Sequence, residues 1–243
     1  LHKIKIKYSA KMSERTFDDF DGFADDYRSI HSQNVQLSGA DSYYFAEHKI
    51  VQLKNYEQDG NLVMLDVGCG DGLTATFVQK HFPAWQTVGI DVSEKSIAAA
   101  KKNNVTNAQF QLYSGRTIPF KNASFDVVFI AAVLHHIEFS LHQSLVEEMY
   151  RVLKPGGRLY LFEHNPLNPV TKYLVKTCVF DKDARLLGFS YAKKLLRTVN
   201  FAAVSHKFIL FFPRNKFFTS LLSIEKHLSW LPLGAQYYYR CVK

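Results

Sequence analysis

Apolar residues along this chain fall into short continuous runs, and longer stretches of mixed pattern separate them. The runs at 62–67, 86–91, 108–113, 125–131, 157–163, 203–212 and 236–242 have strand length. Helix-spaced stretches fall between most of them, at 72–81, 94–103, 141–153 and 190–199. Strands without polar alternation are buried on both faces, and alternation of strand with helix predicts a parallel sheet with helices on either side. Two further helices are expected before the first strand, at 14–34 and 41–57. Phe17, Phe20, Phe23 and Tyr27 sit at core spacing in the first of them. The stretch 214–231 reads as a polar start followed by a helix, with Phe217, Phe218, Leu221, Leu222, Glu225 and Leu228 on overlapping faces.

The first run carries the chemistry. Residues 62–72 are Leu-Val-Met-Leu-Asp-Val-Gly-Cys-Gly-Asp-Gly, an apolar strand that ends in Asp66 and opens into Gly68, Gly70 and Gly72. Glycines let a backbone turn sharply and approach a ligand closely. A dinucleotide fingerprint would place its third glycine five positions after the first, where this chain has Leu73. Asp66 and Asp71 would also repel a pyrophosphate, whereas a cationic ligand favours them. The second run ends in Asp91, at the distance and on the element where an acid holds a ribose diol. Ser93, Glu94 and Ser96 then supply helix-capping chemistry.

This set of motifs resembles the class I S-adenosylmethionine-dependent methyltransferases. The resemblance covers residues 60–165 closely and the remainder loosely. It implies a doubly wound α/β fold with a mostly parallel seven-stranded sheet, an antiparallel last strand, helices on both faces and an N-terminal helical cap. It implies a single methyltransferase domain over 1–243: a cap at 1–58, a cofactor-binding core at 60–165, and a substrate-side half at 166–243 with an insertion near 213–231. The cofactor it implies is S-adenosylmethionine, giving S-adenosylhomocysteine as product. The residues expected to hold it are Asp66, Gly68, Cys69, Gly70, Asp91, Val92, Ser114, Gly115 and Ala131. Ser114 departs from the family pattern, which commonly has Asp there to accept from the adenine amino group. The segment Arg151–Gly157 matches the helix-to-strand turn of these enzymes, with Pro155 ending the helix. Asp126 is expected to be structural.

Substrate chemistry is expected beyond the carboxyl ends of the strands. His135, in Leu134-His135-His136, can titrate near neutrality and act as a base; packing and capping are the alternative. Glu163 and His164 end the fifth strand and could accept a proton or orient a hydroxyl. The alternative is a loop stapled by Pro166 and Pro169, with Asn165 and Asn168 capping turns. Tyr27 could close the site or simply be a core aromatic. Methyl transfer from a sulfonium is a single displacement in which positive charge disperses, so a base is required only if the acceptor must lose a proton early.

Composition narrows the partner. Residues 1–156 hold 16 Lys and Arg against 18 Asp and Glu, and residues 157–243 hold 14 against 4, within a total of +8. The basic second half suits an anionic substrate, a membrane surface or a nucleic acid, or is a solvated face. No apolar run reaches the ~20 residues a membrane helix needs. Lys172, Lys176, Lys182 and Arg185 would make the substrate wall over 170–190 positive. Cys69, Cys178 and Cys241 show no metal spacing, and their sparse use suggests a reducing, cytoplasmic compartment. The acceptor is expected to be a small molecule, a lipid-type compound or a sugar. A nucleic-acid acceptor, or cofactor binding without catalysis, remains as the alternative. The sequence does not fix the oligomeric state.

Overall fold

The protein is described by a computed structural model covering residues 39–178, 181 and 184–243. The expected helix at 14–34, Tyr27 and Lys182 lie outside these residues. Helix α1 (Ser42–Leu53) begins at Asp41, whose carboxylate accepts from the Tyr44 amide. It leads into β1 (Val63–Val67), α2 (Leu73–His81), β2 (Gln86–Asp91), α3 (Glu94–Lys102) and β3 (Ala108–Leu112). Strand β4 (Phe125–Ala131), a 3-10 turn at Leu134–His136, α4 (Phe139–Val152) and β5 (Leu153–His164) follow. The second half holds α5 (Pro169–Thr177), α6 (Phe189–Arg197), β6 (Ala203–Ile209), a 3-10 stretch at Lys216–Ile224, α7 (Glu225–Leu228) and β7 (Gln236–Val242).

The seven strands lie in the order β3-β2-β1-β4-β5-β7-β6. Pairs along β3-β2-β1-β4-β5 are parallel, and β7 is antiparallel to both β5 and β6. The order reverses at β1, whose neighbours are β2 and β4, and a crevice opens at such a point beyond the strands' carboxyl ends. The unalternating strands are explained by cover on both faces. Leu65, Val128, Leu161 and Tyr239 point to the side packed by α4 and α6. Their neighbours Met64, Phe129, Tyr160 and Tyr238 pack with Ile50, Leu53 and Phe77 of α1 and α2. Asp66 shares the parity of Met64 and so lies on the α1–α2 side.

Asp126 is structural: it accepts from the Val63 amide at 2.9 Å and pairs with Lys154 at 2.8 Å, tying β4 to the entrances of β1 and β5. Helix α1 stops at Leu53, short of the expected 57, and three other boundaries differ from the expectation. Helix α4 ends at Val152, so Pro155 sits within β5 and does not stop the helix. The irregularity there is a register shift between Phe125 and Val127, with Gly156 at φ +75°. Strand β6 stops at Ile209 because Leu210 turns into the left-handed region, φ +64°. The stretch read as one helix at 214–231 is a 3-10 segment followed by one α turn, and neither buries a side chain. No helix among the described residues is long and apolar enough to cross a membrane.

Candidate active site

The glycine loop is locked to β2. The amides of Gly68 and Cys69 both donate to the Ile90 carbonyl, at 2.8 and 3.0 Å, and the Gly70 amide donates to Asp91 Oδ2 at 2.8 Å. Gly68 has φ +73°, and a Cβ there would come within 2.5 Å of Val133, so both its conformation and the space exclude a side chain. Asp91 Oδ1 accepts from the Ser93 amide, while the Ser93 hydroxyl caps α3 by accepting from Ser96. Asp91 therefore belongs to the loop, and the cap is Ser93. Cys69 is buried, and burial pushes its thiol up, so its contribution to the loop is its backbone.

Asp66 is buried under this loop, and its Oδ2 has no hydrogen-bond partner among the described residues. Burial first and the Asp91 charge second push its carboxyl up to about 7, against the opposing Thr74 hydroxyl. An acid so placed titrates near neutrality and gains from a neighbouring cation.

A cavity of about 300 Å³ opens beside the loop. Gly68, Cys69, Gly70 and Ala131 line one side, and His164 and Asp181 another. Asp66, Asp91, Val92, Ser114 and Gly115 do not line it. Asp91, Val92, Ser114 and Gly115 stand at or beyond the carboxyl ends of β2 and β3, where Ser114 is exposed and Gly115 has φ +73°. Two non-glycine residues at the cavity wall, Ala132 (φ +57°) and Leu210 (φ +64°), adopt the left-handed conformation. They are held by bonds from the Ala132 amide to Phe162 O and from the Ala235 amide to Leu210 O, each 2.9 Å. Backbone held this way concentrates at functional sites.

His135 and Glu163 are brought together, but behind the wall: their side chains are each 1% exposed. His135 Nδ1 lies 2.6 Å from one Glu163 oxygen, and the other accepts from the Leu134 amide at 2.9 Å. His135 Nε2 faces Asp181 at 3.6 Å, and His136 Nε2 reaches the same oxygen at 3.4 Å. Burial opposes the His135 charge, but Glu163 and Asp181 outweigh it and raise its pKa to about 9. The same exchange holds Asp181 down at about 2 against its burial. Burial, then the charge on His135, lowers His136 to about 4 and His164 to about 3. The cluster is thus an imidazolium between two carboxylates, with two neutral imidazoles beside it. Of the three residues proposed from sequence for catalysis, only His164 faces the cavity.

Sequence reasoning placed none of Lys49, Asp181 and Arg214 in the site, yet all three line the cavity. Burial lowers Lys49 to about 8, against Glu163. The Arg214 guanidinium lies 4.6 Å over the Tyr44 ring, and its Nε is buried without a hydrogen-bond partner among the described residues. One Lys on an amphipathic helix and one Arg after a strand carry no signal of their own. Helix α5 did have a signal: Asn168 accepts from the Thr171 amide at 2.9 Å, and Pro169 occupies the first turn.

Residues 65–161 match the model of a methyltransferase domain. The chain is also 30% identical over 178 residues to a demethylmenaquinone methyltransferase of Lactococcus lactis subsp. lactis, a match spanning 70% of this chain and 69% of that protein. The chain belongs to the class I S-adenosylmethionine-dependent methyltransferase family. A second demethylmenaquinone methyltransferase, from Chlorobaculum parvum, is 34% identical over 173 residues, covering 71% of this methyltransferase and 68% of its relative. Among solved structures, a SAM-dependent methyltransferase of Thermotoga maritima, described as a possible histamine N-methyltransferase, superposes with a TM-score of 0.66. It is 21% identical and covers 94% of this chain and 100% of its own. Phosphoethanolamine N-methyltransferase 2 of Haemonchus contortus, in complex with S-adenosylmethionine, gives 0.63 at 18% identity, covering 92% and 60%. At these identities the two structures speak for the fold.

Proposed function

We propose that this methyltransferase uses S-adenosylmethionine to methylate a small acceptor with an apolar body and a hydroxyl or anionic edge. The observation that carries the donor is Asp66, a buried acid with an oxygen lacking a donor, beneath a glycine loop that itself bonds Asp91. A ligand bearing an ammonium and a sulfonium fits that acid; an anionic pyrophosphate does not. Asp91 would hold the ribose, the open backbone of the glycine loop and Ala131 would face the amino-acid part, and Val92, Ser114 and Gly115 the adenine end. When bound, S-adenosylmethionine supplies an electrophilic methyl group.

The acceptor half of the reading rests on the cavity wall. Phe45, Leu73, Leu174 and Phe212 make it apolar, and Lys49 and Arg214 place positive charge within it. The demethylmenaquinone methyltransferases among the relatives are consistent with an acceptor of this kind. Neutral His164 orients the acceptor through a ring nitrogen, and its lowered pKa makes it a hydrogen-bonding partner more than a strong base. His135 and Glu163 are positioning residues that fix the wall around it. Alignment and exclusion of water then supply most of the acceleration.

The test is transfer of label from methyl-labelled S-adenosylmethionine to a panel of hydroquinones, phenols and aromatic carboxylates, with RNA as a competing acceptor. Labelling of the aromatic set that falls in the His164→Ala variant supports the reading. Label appearing in RNA alone, with the steep salt dependence of phosphate contacts, contradicts it.

A further inference from the structure

The most exposed large apolar side chains among the described residues are not scattered. The six most exposed among the described residues are Phe217, Trp230, Leu233, Tyr173, Leu167 and Val170, between 54% and 90% accessible. All six lie on two pieces of chain, α5 with its lead-in and the connection between β6 and β7, and both pieces line the cavity. The two are joined directly: Asn168 Nδ2 donates to Leu233 O at 2.8 Å, and Thr171 Oγ1 donates to Ala235 O at 3.0 Å. Phe217 contacts Phe218, which stacks on the cavity residue Phe212. These two joined segments form the cavity's rim, and of the six exposed residues Val170 lines the cavity itself. Large contiguous apolar patches at a surface mark a binding face.

The charge on the same two segments is one-sided. Lys172, Lys176, Lys216 and Lys226 are exposed. The acid there is Glu225, whose Oε1 is occupied by the amides of Phe211 and Phe212 at 2.9 Å each and whose Oε2 lies 3.8 Å from the Arg214 guanidinium, so that it offsets Arg214 and leaves the lysines unopposed. Bulky apolar tips set among lysines are the composition of an interfacial membrane-binding surface, in which the rings enter the headgroup region and the cations meet anionic lipid.

We propose that this rim docks on an anionic lipid bilayer, so that the cavity opens towards the membrane interface. The inference uses the reading of the cavity as the acceptor site, but vesicle binding is read without turnover, so either can fail alone. The chain carries its own reporter. Of its two tryptophans, Trp85 is fully buried and stacked on Phe82, and Trp230 is exposed at the rim.

The experiment is tryptophan emission and co-sedimentation of the full chain with phosphatidylcholine vesicles, with and without phosphatidylglycerol. Expected are a blue shift and co-sedimentation with the phosphatidylglycerol vesicles, weakened by salt. Phe217→Ser, at a position too exposed to affect folding, should weaken vesicle binding about tenfold. Lys172→Glu with Lys176→Glu should weaken it on anionic vesicles. Unchanged emission with no sedimentation would overturn the proposal. So would concentration-dependent self-association that blue-shifts Trp230 without lipid and is relieved by Phe217→Ser, which would assign the patch to a second copy.

Discussion

Replacing Asp66 with Asn removes a titration that the fold makes unfavourable. The carboxyl moves from 3.8 to about 7 on folding, because burial and Asp91 both oppose its charge. The folded chain thus binds this proton more tightly than the unfolded chain. The stability it contributes is complete below about pH 3.8 and is lost as pH rises through about 7. Each unit is worth about 1.4 kcal/mol, so the full span is about 4 kcal/mol, and about 3 kcal/mol of it falls between about pH 5 and pH 8. Asn keeps the shape and the hydrogen-bonding capacity but does not titrate. Urea unfolding of both proteins across this range should show the wild type losing about 3 kcal/mol relative to Asp66→Asn. An Asp91→Asn background should shrink the effect, since the Asp91 charge is its second cause. A difference between the two proteins that stays flat with pH would refute the burial argument.

Other consequences are more local. Gly89→Ala would put a Cβ within 2.5 Å of Phe110 and 2.9 Å of Cys69, so thermal melts should show a loss of about 1–3 kcal/mol and weakened loop order. Glu163→Gln leaves a buried imidazolium short of one carboxylate and should cost about 3 kcal/mol by urea unfolding; full stability would show that His135 is neutral there. Because the His135 pKa is raised from 6.5 to about 9, the stability of that pair is complete below about pH 6.5, falls as pH rises from there and is lost once pH passes about 9, a fall the Glu163→Gln variant should largely lack. Lys49→Met and Arg214→Met should raise KM for anionic acceptors while leaving neutral ones nearly unaffected, as steady-state kinetics would resolve.

The glycine-loop side of the candidate site was legible because its chemistry is written locally. Asp66, three glycines and Asp91 lie on two consecutive strands, and the spacing alone brings Gly70 to the Asp91 carboxylate. The alternation of unbroken apolar runs with helical stretches was enough for a sheet covered on both faces. The cavity proposed for the acceptor is assembled from distant pieces: Lys49 from α1, His164 from β5, Asp181 beyond α5, and Arg214 after β6. Only tertiary packing joins them. His135 looked like a base because His titrates near neutrality, yet its ring is enclosed between Glu163 and Asp181. Helix α5 lies in the stretch expected to be substrate wall; Pro166 and Pro169 suggest a stapled loop before it, although Pro is well accommodated in a helix's first turn.

The most direct test of the account is calorimetric titration with S-adenosylmethionine and S-adenosylhomocysteine, on the native chain and on Asp91→Ala. Binding of both ligands by the native protein, lost in a variant that still folds, is the predicted result. A folded native protein that binds neither, or an Asp91→Ala variant that binds as well as the native chain, would contradict the site proposed here.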